Sequence, residues 1–166
     1  MSAAQGPPLL DAANAAFVQG GVSIVAASRD EACVPSIGRA AGCRVSQDRR
    51  RVTIFVAASQ APELLSDLRA CGRIAVVFSQ PSTHRSLQLK ADDAVVRALA
   101  GDEPALCARY VQAFHADIAL LGHTEAQVRA LLACVDGDLA AIDFTPNAAF
   151  EQTPGPRAGT PLEAAR

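Results

Sequence analysis

The segment from Ser79 to Lys90 constrains the fold most, because its residues alternate between two chemically different faces. On a strand, Leu87 and Leu89 would point to one side, and four polar side chains would point to the other, namely His84, Ser86, Gln88 and Lys90. Lys90 is the only lysine among the 15 lysine and arginine residues. The polar row offers the hydrogen-bond donors that a polar or anionic small molecule needs. An edge or surface strand would show the same alternation.

A second candidate feature is a pair of arginines in the segment 35–44. Arg39 and Arg44 are five residues apart, so a regular strand would place them on opposite faces, whereas a bulge at a neighbouring glycine would bring them closer. Arginine can fork onto a phosphate, and the glycine and alanine residues around the pair leave backbone that a flat ring can approach. The same pattern also fits a twisted strand at a barrel corner with surface arginines.

The composition predicts one globular domain and excludes several partners. With 166 residues, of which 50% are hydrophobic, the chain can bury a sizeable core. A net charge of −2 and a pI near 5.9 offer no basic surface for nucleic acid. The longest apolar runs are far shorter than the ~20 residues that cross a bilayer, and the first residues lack the basic start of a signal peptide. We therefore expect no nucleic-acid or membrane partner and a cytoplasmic location.

Cysteines and histidines form no metal or disulfide pattern. The five cysteines are widely spaced, with no Cys-x-x-Cys pair and an odd total, which favours core packing over a redox thiol. The three histidines, His84, His115 and His123, are too scattered to indicate a metal site. His84 alone belongs to a candidate site, because it begins the polar row. The sequence also lacks the phosphate-loop, dinucleotide-binding, serine-hydrolase and zinc-protease motifs.

Strand and helix patterns follow one another without a regular β-α-β alternation. Apolar spacing and capping signals predict helices over residues 9–19, 61–71, 102–121 and 123–135. Apolar and β-branched runs predict strands over residues 22–28, 33–45, 51–57, 73–79, 84–90 and 139–145. This order predicts an α+β fold with a mainly antiparallel sheet or barrel.

The order of four segments adds a resemblance to a known family. The segments are Pro35–Arg39, the strand-helix-strand pattern over 52–78, the polar segment 81–90 and the tail segment Phe150–Gly159. Together they resemble the pyridoxamine 5'-phosphate oxidase-like, FMN-binding split-barrel proteins over most of residues 20–160. The resemblance implies a six-stranded antiparallel split β-barrel with peripheral helices. It also implies a homodimer that holds one FMN in each of two clefts at the subunit interface.

The resemblance assigns cofactor-binding roles to individual residues. It implies that Arg39 and Arg44 approach the FMN phosphate, and that Ser86 lies near the flavin ring with Gln88 and Lys90 further along the same face. Ser59 stands where the family often has a Ser/Thr-Arg-Lys phosphate clamp. This chain continues as Gln-Ala-Pro and lacks the two cations, so we expect FMN to bind with micromolar affinity at best.

Three functions are compatible with these features. The first is an FMN-dependent oxidoreductase, in which the flavin carries the electrons and the protein needs no acid/base pair of its own. The second is a non-catalytic, stress-related module that binds flavin, or haem with His84 as the axial ligand. The third is a structural dimer that has lost its ligand.

The resemblance also divides the chain into three parts. We expect an N-terminal helix within residues 1–20, a split-barrel domain over 21–145 with a helical insert at about 102–136, and a tail rich in proline and glycine over 146–166. The stiff segment Thr153–Gly159 follows an apolar anchor at Phe150, which predicts that the tail docks in extended form across the subunit boundary. A disordered tail is the alternative.

Overall fold

Eight strands form one antiparallel sheet in the computed structural model, which describes residues 7–135 and 137–163. The strands are Ser23–Arg29 (β1), Pro35–Val45 (β2), Val52–Ala57 (β3), Ile74–Ser79 (β4), Ser86–Ala91 (β5), Val95–Ala98 (β6), Leu139–Phe144 (β7) and Ala148–Glu151 (β8). Parts of the predicted N-terminal segment, helical insert and tail lie outside the described residues, at positions 1–6, 136 and 164–166.

The sheet confirms the predicted fold class but differs from the predicted six-stranded barrel. The strand order is β6-β7-β3-β2-β1-β4-β5-β8, and no pairing joins the edge strands β6 and β8 within the described residues. The sequence analysis did not predict β6 or β8, which are only four residues long. Such short edge strands depend on a partner strand for their hydrogen bonds and carry little periodic signal of their own.

Within the described residues, four α-helices accompany the sheet: Ala12–Val18 (α1), Pro62–Cys71 (α2), Glu103–Ala119 (α3) and Glu125–Leu131 (α4). Local signals fix several of their ends. Proline occupies the first turn of α2, and Gly72 ends that helix with a left-handed φ of 64°. The predicted capping box of α4 is present, with Thr124 and Gln127 bonding each other's backbone. Among the described residues, no helix is long and apolar enough to cross a membrane.

The core lies between the inner face of the sheet and α2. Leu64, Leu65 and Leu68 of α2 are buried, as are Ile24 and Phe78 on the strands. The helix approaches β2 so closely that a Cβ atom at Gly38 would lie 2.9 Å from the side chains of both Ala61 and Leu64. The inner face is therefore fully covered at this point.

The outer face of the sheet is covered on one half only. Every residue of β3 is buried, because Phe55 packs with Cys107 of α3 and Ala141 of β7 on the outer side. Tyr110 in the middle of α3 donates a hydrogen bond to the Val22 carbonyl at 2.7 Å, which fixes the helix beside the start of β1. By contrast, β1, β4 and β5 alternate between buried and partly exposed residues. The outer side of these three strands is left open.

The tail turns back alongside β8 of the same chain. The Gly159 N–H donates to the Glu151 carbonyl at 2.7 Å, and the Leu162 N–H donates to the Ala149 carbonyl at 2.8 Å. An isolated bridge pairs Phe150 with Pro161. These contacts give the proline-rich segment a defined path within one chain, and docking of the tail across a subunit boundary stays a prediction.

Candidate functional site

The uncovered half of the sheet presents two aligned rows of outward side chains. The strand register places Arg39, Val25, Val77 and Gln88 in the first row. It places Ile37, Ala27, Ala75 and Lys90 in the second row. These eight residues are called the open face below.

The centre of the open face is a small apolar floor. Val25, Ala27, Ala75 and Val77 are partly exposed, and none carries a polar side chain. Arg39 and Gln88 lie at opposite ends of their row. Their Cα atoms are about 14 Å apart, because three inter-strand spacings of about 4.8 Å separate the two strands. A flat ring can therefore rest on the floor between a guanidinium group on one side and an amide on the other.

The polar row of β5 forms one side of this face, as the alternation predicted. Leu87 and Leu89 are buried, whereas Ser86, Gln88 and Lys90 point outward. Each outward side chain has a neighbour that orders it: the Ser86 Oγ lies 2.8 Å from the Ser79 Oγ, the Gln152 Nε2 donates to the Gln88 Oε1 at 3.3 Å, and the Lys90 Nζ lies 5.0 Å from the ring centroid of Phe150. The lysine contact has the geometry of a cation–π interaction.

His84 does not belong to this row, contrary to the prediction. It lies in the turn before β5 with a positive φ of 61°, and its N–H donates to the Gln80 carbonyl at 2.8 Å. Asp117 of α3 holds the turn by accepting hydrogen bonds from the Gln80 side chain and from Ser82. These bonds to a distant helix delay the start of the strand to Ser86, which a period-two pattern does not reveal.

A bulge in β2 places both candidate arginines on the outer side of the sheet. The register shifts between Ala40 and Cys43, so these two buried residues face inward and the flanking Arg39 and Arg44 face outward. The Arg39 Nη1 donates to the Ser23 Oγ at 2.9 Å at the border of the open face. Arg44 instead bonds the Asp102 carboxylate at 2.5 Å, at the start of α3. The two arginines therefore share a face but not a site.

An ion-pair cluster that the sequence analysis missed holds the start of α3. The Arg97 guanidinium bonds the Glu103 carboxylate at 2.7 and 2.8 Å and the Asp143 carboxylate at 2.7 and 3.1 Å. The hydrogen bonds from Arg97 lower the pKa of Glu103. Burial alone would raise the pKa of Asp143, but hydrogen bonds from Arg97 and Thr53 lower it. The cluster anchors α3 to β6 and β7, and Arg44 lies beside it, with its Nη1 3.9 Å from the Glu103 carboxylate.

Ser59 is also held by a carboxylate. Its backbone N–H and its Oγ donate to Asp138 at 3.0 and 2.6 Å, at the short 3-10 helix Ala58–Gln60 that follows β3. The neighbouring Gln60 lines a shallow groove together with Arg39. The Ser59 side chain is therefore already bonded, and it does not line this groove.

Comparison with known proteins identifies the fold. No family model and no curated protein matches the sequence. The structure is similar to HupZ from Group A Streptococcus, with a TM-score of 0.55 and 12% identity over 90% of this chain and 99% of that one. It is also similar to a pyridoxamine 5'-phosphate oxidase candidate from Lactobacillus delbrueckii, with a TM-score of 0.50 and 13% identity over 85% and 93% of the two chains. An F420 reductase has a TM-score of 0.50 and 12% identity over 81% and 93%.

The protein has the pyridoxamine 5'-phosphate oxidase-like fold. TM-scores of 0.50–0.55 over most of each chain establish this shared architecture. Within the fold, the structure brings Arg39, Gln88 and Lys90 to the open face, and Ser86 lies beside it on β5. The other three predicted residues, Arg44, Ser59 and His84, lie outside the open face.

The cysteines divide between core and surface. Cys43 and Cys107 are buried, Cys71 is partly exposed, and Cys33 and Cys134 are exposed. Burial raises the pKa of the Cys107 thiol to about 12 and that of Cys43 still further. The predicted core packing is thus confirmed for these two cysteines and is wrong for Cys33 and Cys134, which lie on exposed loops. Cys107 and Cys134 line an apolar cavity of about 680 Å³ between α3, α4 and the start of β7.

Two further cations near the open face were missed by the sequence analysis. Arg29 and Arg73 line a shallow cleft with Lys90 at the end of the second row. Arg29 is the last residue of β1, and Arg73 comes directly before β4, so the alternation of each strand directs these side chains to the outer side of the sheet. The alternation of β1 and β4 is visible in the sequence. That the two arginines lie close to Lys90 depends on which strands are neighbours, which the sequence pattern does not show.

Proposed function

We propose that the protein binds FMN on the open face, at the interface of a homodimer, and acts as an FMN-dependent oxidoreductase. The observation that carries the proposal is the apolar floor between Arg39 and the polar row of β5, all in one strand register. The fold is shared with proteins named as an oxidase candidate and as a reductase, which supports redox chemistry.

The residues of the open face fit the two parts of FMN. Val25 and Val77 leave a flat, partly exposed surface for an isoalloxazine ring, and Gln88 offers an amide to the polar edge of such a ring. Arg39 carries a guanidinium group that can fork onto a phosphate. When bound, the flavin supplies the electron transfer, so the protein's part is to orient the ring and to exclude water from one side.

Affinity for FMN is expected to be micromolar or weaker. Arg44 is engaged by Asp102, and Ser59 is engaged by Asp138, so Arg39 is the one predicted phosphate contact that bonds only a neutral side chain. A phosphate held mainly by one exposed arginine gains less than one held by a set of charge-assisted hydrogen bonds.

A fluorescence titration tests this proposal. FMN at a fixed low concentration is titrated with protein, and we expect saturable quenching at micromolar to tens of micromolar protein. Arg39→Gln should weaken FMN binding about tenfold while leaving riboflavin binding unchanged, because riboflavin lacks the phosphate. The matched control is Arg109→Gln, which removes an exposed arginine of α3 and should leave both affinities unchanged. Absence of quenching at 100 µM protein would refute FMN binding.

A flavin-binding module without turnover is the second candidate. The eight residues of the open face include no carboxylate, histidine or thiol, so the face itself offers no general acid or base. Reduction of the bound flavin by NADH or NADPH at a rate above that of free FMN supports the oxidoreductase and excludes the module. A haem protein has less support, since His84 lies in the turn and not on β5.

A further inference from the structure

A shallow cleft lies at the Lys90 end of the open face. Its volume is about 290 Å³, and its base is formed by Ala27 and Ala75. Lys90 is paired with Ala75, Arg29 follows Ala27 by two residues, and Arg73 precedes Ala75 by two residues. The alternation of the strands therefore directs all three cations to the same side as the apolar floor. We call this feature the Lys90 cleft.

Positive charge dominates the lining of the Lys90 cleft. Lys90 forms no ion pair with any residue in the described part of the chain, and its Nζ lies 5.0 Å from the centroid of the Phe150 ring. The Arg29 Nη1 donates to the backbone carbonyl of Asp30 at 2.8 Å. The Nε of Arg73 lies 3.7 Å from the Asp92 carboxylate, and both of these side chains are exposed. Asp92, which also accepts a hydrogen bond from the Asn147 Nδ2 at 2.7 Å, is the one carboxylate among the residues that line the cleft, against three cations.

This arrangement is suited to an oxyanion. Three like charges around one cleft repel one another, and a phosphate or carboxylate group between them removes that repulsion. Two guanidinium groups and one ammonium group supply the charge-assisted donors that such an anion needs. The base of the cleft continues into the floor formed by Val25 and Val77, so a ligand can place its anionic group on the cations and its apolar part on the floor.

We propose that the Lys90 cleft is a binding site for the oxyanion group of a small-molecule ligand, separate from Arg39. By strand geometry the Cα atoms of Arg39 and Lys90 lie about 16 Å apart, three strand spacings across and two residues along the sheet. One phosphate group cannot contact both residues directly at that distance. The open face therefore has two cationic ends, and the cleft accepts either the phosphate of the flavin or the anionic group of a second molecule.

Titration with inorganic phosphate tests the site without any flavin. In ¹⁵N-labelled protein at constant ionic strength, we expect saturable shifts in the low millimolar range, concentrated at residues 27–29, 73–75 and 90–92. Lys90→Gln and Arg73→Gln should each raise the dissociation constant at least fivefold. Arg109→Gln, far from the cleft on α3, should not change it. No saturable shift below 50 mM phosphate, or equal shifts around arginines elsewhere, would overturn the proposal.

A competition experiment identifies the source of the anion. If the cleft holds the phosphate of FMN, 20 mM phosphate should weaken FMN binding several-fold, and Lys90→Gln should weaken it similarly. If the anion belongs to a second molecule, FMN affinity should be the same with and without phosphate, and phosphate shifts should persist in protein saturated with FMN. A protein that binds phosphate in the cleft but never binds FMN would refute the flavin proposal alone. Phosphate shifts that are unchanged in Lys90→Gln would refute the Lys90 cleft alone.

Discussion

At the residue scale, the charged side chains have different roles on the two halves of the sheet. Arg97, Glu103 and Asp143 bond one another where α3 meets the sheet, and only 3% of Glu103 is exposed. Arg29, Arg39 and Lys90 form no ion pair within residues 7–135 and 137–163. Carboxylates therefore stabilise the covered half of the sheet and are scarce on the open half, where an anionic ligand would otherwise be repelled.

The Glu103 carboxylate is expected to make the free energy of unfolding depend on pH. Hydrogen bonds from Arg97 lower its pKa below the ordinary value of 4.5. A lowered pKa in the folded state means that the contribution to stability is complete above pH 4.5 and is lost as the pH falls through the folded-state value. Glu103→Gln should therefore lower the free energy of unfolding by about 2–3 kcal/mol at pH 7, the cost expected for losing charged hydrogen bonds at a buried site. The difference from the natural protein should shrink below pH 4.

Urea denaturation at pH 7 and at pH 3.5 measures both effects. Glu125→Gln is the control, because Glu125 forms an exposed pair with Arg129 four residues along α4. Such a pair is worth about 0.3–0.5 kcal/mol. A Glu103→Gln variant that is destabilised no more than Glu125→Gln would show that the cluster does not anchor α3.

At the element scale, the position of α3 decides which half of the sheet is covered. The helix approaches the chain at Gly21 so closely that a Cβ atom there would lie 2.2 Å from the Ala113 carbonyl oxygen. Gly21→Ala would force the backbone of α3 to shift, and we expect it to lower the free energy of unfolding by about 1–3 kcal/mol, as for an overpacked core. The hydrogen bond from Tyr110 to the Val22 carbonyl should be disturbed as well.

The neighbouring Gly20 supplies a matched control for this prediction. A Cβ atom at Gly20 would lie 3.2 Å from the Phe17 carbonyl oxygen within its own helical turn, where a small local adjustment relieves the contact. Thermal unfolding of Gly20→Ala and Gly21→Ala should therefore give clearly different midpoints. Equal midpoints would mean that α3 is not seated tightly on β1.

Elements with local signals were the ones that the sequence predicted well. The proline at the start of α2, the glycine that ends it and the capping box of α4 each act within a few residues. The short edge strands β6 and β8 carry no such signal, because their hydrogen bonds come from β7 and β5.

The same distinction applies to the candidate site. The outward alternation of Ser86, Gln88 and Lys90 follows from strand geometry alone. The diversion of Arg44 to Asp102 joins residues 58 positions apart, and the displacement of His84 depends on a bond from the turn to α3. Pairings over such distances are fixed by packing, and no spacing in the sequence encodes them.

At the scale of the whole molecule, the open face leaves apolar surface exposed. Ile37, at the β2 end of the second row, is 69% exposed, and Ala27 and Ala75 further along the same row are partly exposed. A contiguous apolar patch on a sheet commonly marks an interface, and a self-complementary patch favours a two-fold dimer. The two rows are flanked by cations and not by carboxylates. If two open faces meet directly, these like charges repel each other, so an anion is needed between them. Dimerisation and anionic ligand binding would then support each other.

Substitution of Ile37 tests the dimer. Light scattering after size-exclusion chromatography should give twice the chain mass of 17.2 kDa for the natural protein at tens of micromolar. Ile37→Lys would bury a charge in an apolar part of the proposed interface, so we expect the mass of one chain together with an unchanged melting temperature of the monomeric fold. Val95→Lys is the control, because Val95 is 60% exposed but lies on β6 at the far edge of the sheet. A monomeric natural protein, or an Ile37→Lys variant that remains a dimer, would rule out the open face as the interface.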